Sequence, residues 1–271
     1  MLLLLQFSGL YLVLTFAIPP LSFVLVYSTA LVFYMQAGFA MVCAGAVRKK
    51  NVQNTMLKNL LGRFCFALAF GISFGLMYVL ANIHPHLSDT CGAAIAFFAV
   101  GYAFAFGGQD FTSGKHTFIG TSNFFLMDVD DLAYWLFQYA FSAASATIVA
   151  GTLAERCQMA AYLAYSVLLG GFVYPVIAHA IWSAQGFLSA NSADPLWGMG
   201  MVDFAGSGVV HMTGGTTALF ATAILGPRRG RFHDSTGRPL KKPKEFPGHS
   251  MALQVRNASS IQFGSAAFCV W

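Results

Sequence analysis

One apolar run holds both a carboxylate and an imidazole: Asp203 stands near the start of the stretch Val202 to Leu225, and His211 follows eight residues later. Ionisable side chains at lipid depth are rare and commonly mark an ion or substrate path. A neutral imidazole offers one donor and one acceptor, which suits hand-over of a small polar molecule. If a helix starts at Asp203, His211 lies ~12 Å deeper at 1.5 Å per residue, near the middle of a ~30 Å hydrocarbon layer. Gly206, Ser207, Gly208, Gly214 and Gly215 surround it with small side chains, so a narrow lumen or a neighbouring helix can come close. Asp203 has two compatible uses: it can cap the helix, and it can raise the local potential for cations. His179, near the outer end of its own helix, is a weaker candidate of the same kind.

Aromatic residues supply the second kind of chemistry. Phe137 and Phe141 are four apart and share a helix face. Their ordinary use is packing, and the functional alternative is a gate or a surface that meets a cation. Trp182 closes the following helix at the outer interface, where tryptophan is common without any ligand. Its position beside an outer loop also suits the wall of an entry vestibule. Ser142, Ala146 and Ala150 form a small-residue stripe that lets helices approach.

Other chemistries find no support. The glycines of 206–215 do not spell GxGxxG and follow no strand, so dinucleotide binding is not indicated. No nucleophile, base and orienting acid form a catalytic set, so an enzyme is not expected. The five cysteines (Cys43, Cys65, Cys91, Cys157, Cys269) lack CxxC spacing and read as membrane-buried thiols. His84-Pro85-His86 reads as a solvated loop before it reads as a metal site. No metal or cofactor is expected. The sequon at Asn257 lies on the cytoplasmic approach and reads as chance.

These residues need a membrane-spanning frame, and the composition supplies one. Of 271 residues 57% are hydrophobic and 9% charged, with mean hydropathy +0.64. A soluble domain of this size needs far more charge to cover its surface. The net charge of +5 falls in clusters between apolar runs, which marks topology and excludes a nucleic-acid face. Spans need roughly 20 apolar residues. Seven stretches come near: Leu2 to Ile18, Leu21 to Val47, Phe64 to Ile83, Gly92 to Phe106, Leu132 to Leu153, Met159 to Trp182 and Val202 to Leu225. The basic groups at 48–50, 156 and 228–244 should share the cytoplasmic side. By parity, only one of Phe64 to Ile83 and Gly92 to Phe106 then crosses. Residues 226–248, rich in glycine and proline, form a cytoplasmic connector with no continuous helix. Glu155-Arg156 reads as a local charge pair at a turn.

Against this frame several stretches closely resemble the ammonium transporter family (Amt/Mep/Rh), eukaryotic Amt type. They include FYMQAGFAMVCAGAVRKKN at 33–51, NTMLKNLL at 54–61, DTCGAAIAFFAVGYAFAFGG at 89–108 and FQYAFSAASATIVAGTLAER at 137–156. GGFVYPVIAHAIW at 170–182, VDFAGSGVVHMTGG at 202–215 and GPRRGRF at 226–232 continue the series. The resemblance implies an all-α polytopic transmembrane bundle equivalent to the N-terminal five-helix half of that fold, within 1–271 as a single, incomplete domain. It further implies homotrimers, a multi-pass position in the plasma membrane, and ammonium or ammonia as substrate. Phe141 would form the outer gate with Phe137 beside it. Trp182 would line an outer cation site, Asp203 would be the fixed acid near it, and His211 the first pore histidine. The motifs read continuously if 62–88 is removed, so this segment is expected to be an insert from a retained intron or an erroneous gene structure. Residues 255–271 diverge, and 1–32 lie outside the resemblance. A truncated, non-transporting fragment that associates with full-length subunits is the alternative.

Overall fold

The computed structural model describes residues 20–53, 55–56, 88–108, 115–234 and 236–255. Five helices organise them. α1 runs Pro20–Ala46, starting on a proline whose missing N–H is no loss in a first helical turn. α2 spans Ser88–Phe106, α3 Leu132–Leu153, α4 Met159–Trp182 and α5 Ser207–Leu225. Four of them, α1 and α3 to α5, are long and apolar enough to cross a membrane, and α2 contributes the shorter apolar helix Gly92–Phe106. The expected spans Leu2 to Ile18 and Phe64 to Ile83 lie outside the described residues, as do His84, His86, nearly all of 62–88 and all but the first residue of 255–271.

The bundle is built around α3. It packs along α1, α2 and α5, and α2 packs along α4. Ser142, Ala146 and Ala150 are fully or almost fully buried, as the small-residue stripe requires. Gln36 of α1 donates to the Ala140 carbonyl across this contact at 3.3 Å. Phe97, Tyr139 and Tyr174, all without solvent exposure, fill the centre, and Trp135 stacks on Tyr139 at 5.9 Å. Phe106, at the end of α2, meets Tyr134 at the start of α3, so α2 runs opposite to α3.

Three helices widen into π turns: Phe97–Gly101 in α2, Leu169–Val173 in α4 and Ser207–Met212 in α5. Such turns concentrate at functional sites because they break the side-chain register. The first two pack against each other. A Cβ on Gly170 would stand 2.8 Å from Ala93 Cα, so only glycine permits that approach.

The ends of α1, α3 and α5 meet at one face of the bundle, around Glu155. Its carboxylate accepts from Arg48 Nε at 2.9 Å, from Asn51 Nδ2, and from Arg228 at 3.4 Å. Burial pushes this carboxyl up, but the hydrogen bonds from Arg48 and Asn51 outweigh it, and the group titrates below the usual carboxylate range. The local pair expected with Arg156 does not form. Glu155 has a positive φ of 65° that turns it back toward α1, while Arg156 donates to the Gly226 carbonyl at 3.0 Å. The basic groups thus gather on one side, around a carboxylate only 2% exposed. Residues 226–250 carry no helix among the described residues. This connector returns to its origin: His249 donates to Val47 O at 2.9 Å and Ser250 to Gly45 O at 3.2 Å.

Candidate functional site

At the opposite end, the outer turns of α3 and α4 and the loop before α5 enclose a cavity of about 290 Å³. Phe137, Phe141, Trp182 and Asp203 line it, together with Tyr134, Gln138 and Asn191. The aromatic rings form a continuous edge-to-face series. Phe137 meets Phe141 at 4.9 Å and 82°, and Phe141 meets Trp182 at 5.5 Å and 67°. Edge-to-face contact sets the positive edge of one ring against the negative face of the next, and a negative ring face is what attracts a cation. The Trp182 ring is fixed because its indole N–H donates to the Asp203 carbonyl at 2.7 Å.

Asp203 does not start the helix as expected. The helix begins at Ser207, and residues 203–206 form a turn that ends at Gly206 with φ +83°, a conformation suited to glycine. The carboxylate folds forward over that turn. Oδ1 accepts the N–H of Gly206 at 2.7 Å and of Ser207 at 2.9 Å, and Oδ2 those of Gly208 at 2.9 Å and Val209 at 2.8 Å. It therefore satisfies four amides that a helix start leaves without partners, and its charge meets the positive dipole end. Asp203 is 8% exposed, so this anion borders the cavity but points its lone pairs into the backbone.

His211 lies four residues beyond the helix start, about 6 Å along the axis, rather than ~12 Å deep in a helix begun at Asp203. It is half-buried and is not among the residues lining the cavity. The glycines around it divide their work. Gly214 lets α5 approach Ile148 and Ser145 of α3, whereas a Cβ on Gly215 would meet nothing within 4 Å.

His179 is a structural residue. Fully buried, it uses both ring nitrogens: Nδ1 sits 2.9 Å from the Ala105 carbonyl and Nε2 sits 2.8 Å from Thr117 Oγ1. The carbonyl can only accept, which places the proton on Nδ1 and lets Nε2 accept from the hydroxyl. The ring ties α4 to the end of α2 and to the outer loop. The lining residues Tyr134 and Gln138 were not singled out from sequence, although both lie on the face of α3 that carries Phe137 and Phe141. Among the described residues no group of three or more His, Cys, Asp or Glu could hold a metal ion.

Fold and cavity together define a multi-pass α-helical integral membrane protein with an aromatic chamber at one end. The profile of the Ammonium Transporter Family matches residues 23–83 and 78–268, and the chain belongs to that family. Ammonium transporter 1 member 3 of Solanum lycopersicum is 40% identical over 248 residues, covering 90% of this chain and 46% of its own. Ammonium transporter 3 of Dictyostelium discoideum is 38% identical over 233 residues, 86% of this chain and 44% of its own. Among solved structures, a Sensor Amt Protein superposes with TM-score 0.64 at 26% identity, covering 91% of this chain and 53% of that one. The chain thus spans about half the length of the relatives it matches. The matched ranges extend farther than the motifs between 33 and 232, taking in 62–83 and running on to 268.

Proposed function

We propose that this chain supplies the outer recruitment site and one wall of a path for ammonium or ammonia across the plasma membrane, and that it performs no covalent catalysis. The observation that carries this is the chamber itself: a fixed edge-to-face series of Phe137, Phe141 and Trp182 beside the buried Asp203 carboxylate. A bare ammonium ion cannot enter hydrocarbon without a large penalty, so it must be paired, rehydrated or deprotonated on the way. Ring faces hold it outside by cation–π attraction of about 0.5–2 kcal/mol. Neutral ammonia then passes His211, whose imidazole can donate and accept in turn. The length of the relatives, and the open space at Gly215, support a second wall contributed by further polypeptide. The working assembly in this reading is a homotrimer.

Growth rescue of ammonium-uptake-deficient cells by this open reading frame tests the proposal, beside a His211→Ala variant expressed to the same level. Expressed together with the polypeptide that completes the second wall, the parent is expected to restore growth on low ammonium and the variant to fail. Rescue by both, or by neither, counts against the role given to His211.

A further inference from the structure

The connector that follows α5 is folded, and it concentrates charge. Between residues 226 and 248 stand seven Lys or Arg against Asp234 and Glu245, an excess equal to the +5 of the whole chain. Backbone pairing closes 231–244 into a hairpin. The Lys244 N–H donates to Arg231 O at 2.8 Å, that of Leu240 to Phe232 O at 2.8 Å, and that of Asp234 to Arg238 O at 2.9 Å. The tip turns at Gly237, with φ +83°.

Two nearby carboxylates are already committed. Glu155 takes up Arg48 and Arg228. Asp234 directs Oδ1 onto the tip, where it accepts the Thr236 N–H at 2.8 Å, the Thr236 hydroxyl at 2.7 Å and the Arg238 N–H at 2.9 Å. Lys244 acts on that carboxylate through space without an ion-pair contact. Among the described residues Arg229, Arg231, Arg238, Lys241, Lys242 and Lys244 form no ion pair, and all six are exposed. The hairpin sets Arg231 and Lys244 on neighbouring backbones ~5 Å apart, where like charges repel. Such an array is relieved by anions from outside the chain.

Its place says which anion. α5 ends at Leu225, and Ile224 and Leu225 are exposed apolar side chains, so the connector starts where the apolar span stops. Phe232 is exposed beside Arg231, whose guanidinium stands 5.6 Å over its ring centre. An aromatic ring among cations at the end of a span suits the headgroup layer, where aromatic and basic side chains are both favoured. Lys49 and Lys50, exposed just past α1, extend the positive surface on the same side.

We propose that the hairpin 231–244 and the adjoining Arg229 form a docking surface for anionic phospholipid headgroups of the leaflet at this end, with Arg231, Lys241, Lys242 and Lys244 meeting phosphate or carboxylate oxygens and Phe232 entering the headgroup layer. Nothing in this docking depends on the passage of ammonium, and its test does not use transport.

Hydrogen exchange on the full chain in lipid nanodiscs reads the docking at the Leu240 and Lys244 amides, which close the hairpin. Phosphatidylserine added to phosphatidylcholine discs is expected to slow them several-fold relative to the Thr117 and Gly120 amides, whose loop lies at the opposite end and meets the same lipids. This relative protection should vanish at ~1 M salt, where the screening length is ~3 Å. Lys241→Gln/Lys242→Gln, at two exposed positions, should lose most of it, because each cation near an anionic surface contributes about fivefold to binding. Lys115→Gln, which removes a cation from the opposite end, should keep it. Equal relative exchange with and without phosphatidylserine, or full protection in the double variant, overturns the proposal. Soluble phosphoserine or a polyglutamate peptide that protects the hairpin as strongly in phosphatidylcholine discs overturns it too, by assigning the surface to a free anion or to an acidic protein segment.

Discussion

Replacing Asp203 by alanine removes an acceptor for four amides at once, and the structure sets the size of the effect. Ser207 is exposed, so its N–H can turn to water, but Gly206, Gly208 and Val209 are buried and theirs cannot. A buried donor left without a partner costs about 1–3 kcal/mol. Three of them, taken toward the lower end because the turn can relax, give about 3–6 kcal/mol, well above the ~1 kcal/mol of an ordinary N-cap. At ~2–4 °C per kcal/mol for a chain of this size, the unfolding temperature should fall by on the order of 10 °C. Asp203→Asn keeps one oxygen and so two of the four bonds, and should lose roughly half as much. Thermal unfolding in detergent, followed by tryptophan fluorescence without ammonium present, measures both. An alanine variant that melts within about 2 °C of the parent would refute the capping role. The carboxylate would then act only through its charge on the cavity.

Glu155→Gln should lower stability at neutral pH by about 1–2 kcal/mol, since Arg48 and Arg228 are partly exposed and rehydrate. Because the folded carboxyl titrates below its usual range, its contribution is complete above that range and is lost as pH falls below about 4. The parent should therefore lose more stability than the variant between pH 6 and ~3, as followed by unfolding temperature. His179→Phe should cost about 2 kcal/mol or more by orphaning the buried Ala105 carbonyl, while His179→Asn, which keeps a donor, should lose less, in the same assay.

The helices that carry the cavity aromatics were legible because hydropathy and charge agree there. Leu132–Leu153 and Met159–Trp182 are apolar runs bounded by Asp131, Glu155 and Ser183, and they form with the expected limits. The start of α5 was not legible. Val202, Phe204 and Ala205 continue the apolar run, but a carboxylate that reaches forward to four amides, with Gly206 at positive φ, holds them out of the helix. The π turns escape for a related reason: they are hydrogen-bond registers, and hydropathy does not encode register. Nor could the sequence separate the two histidines. His179 is consumed by Ala105, 74 positions away, and Thr117, 62 away, contacts that only the fold creates. Glu155 likewise finds Arg48 across 107 positions, whereas its neighbour Arg156 looked like the obvious partner.

The connector between residues 226 and 250 leaves α5 beside Glu155 and comes back to the end of α1, so its two feet stand on the same spot. Such a strap behaves as a buckle. The rims of α1, α3 and α5 at this end cannot spread without tearing the Arg48–Glu155–Arg228 junction.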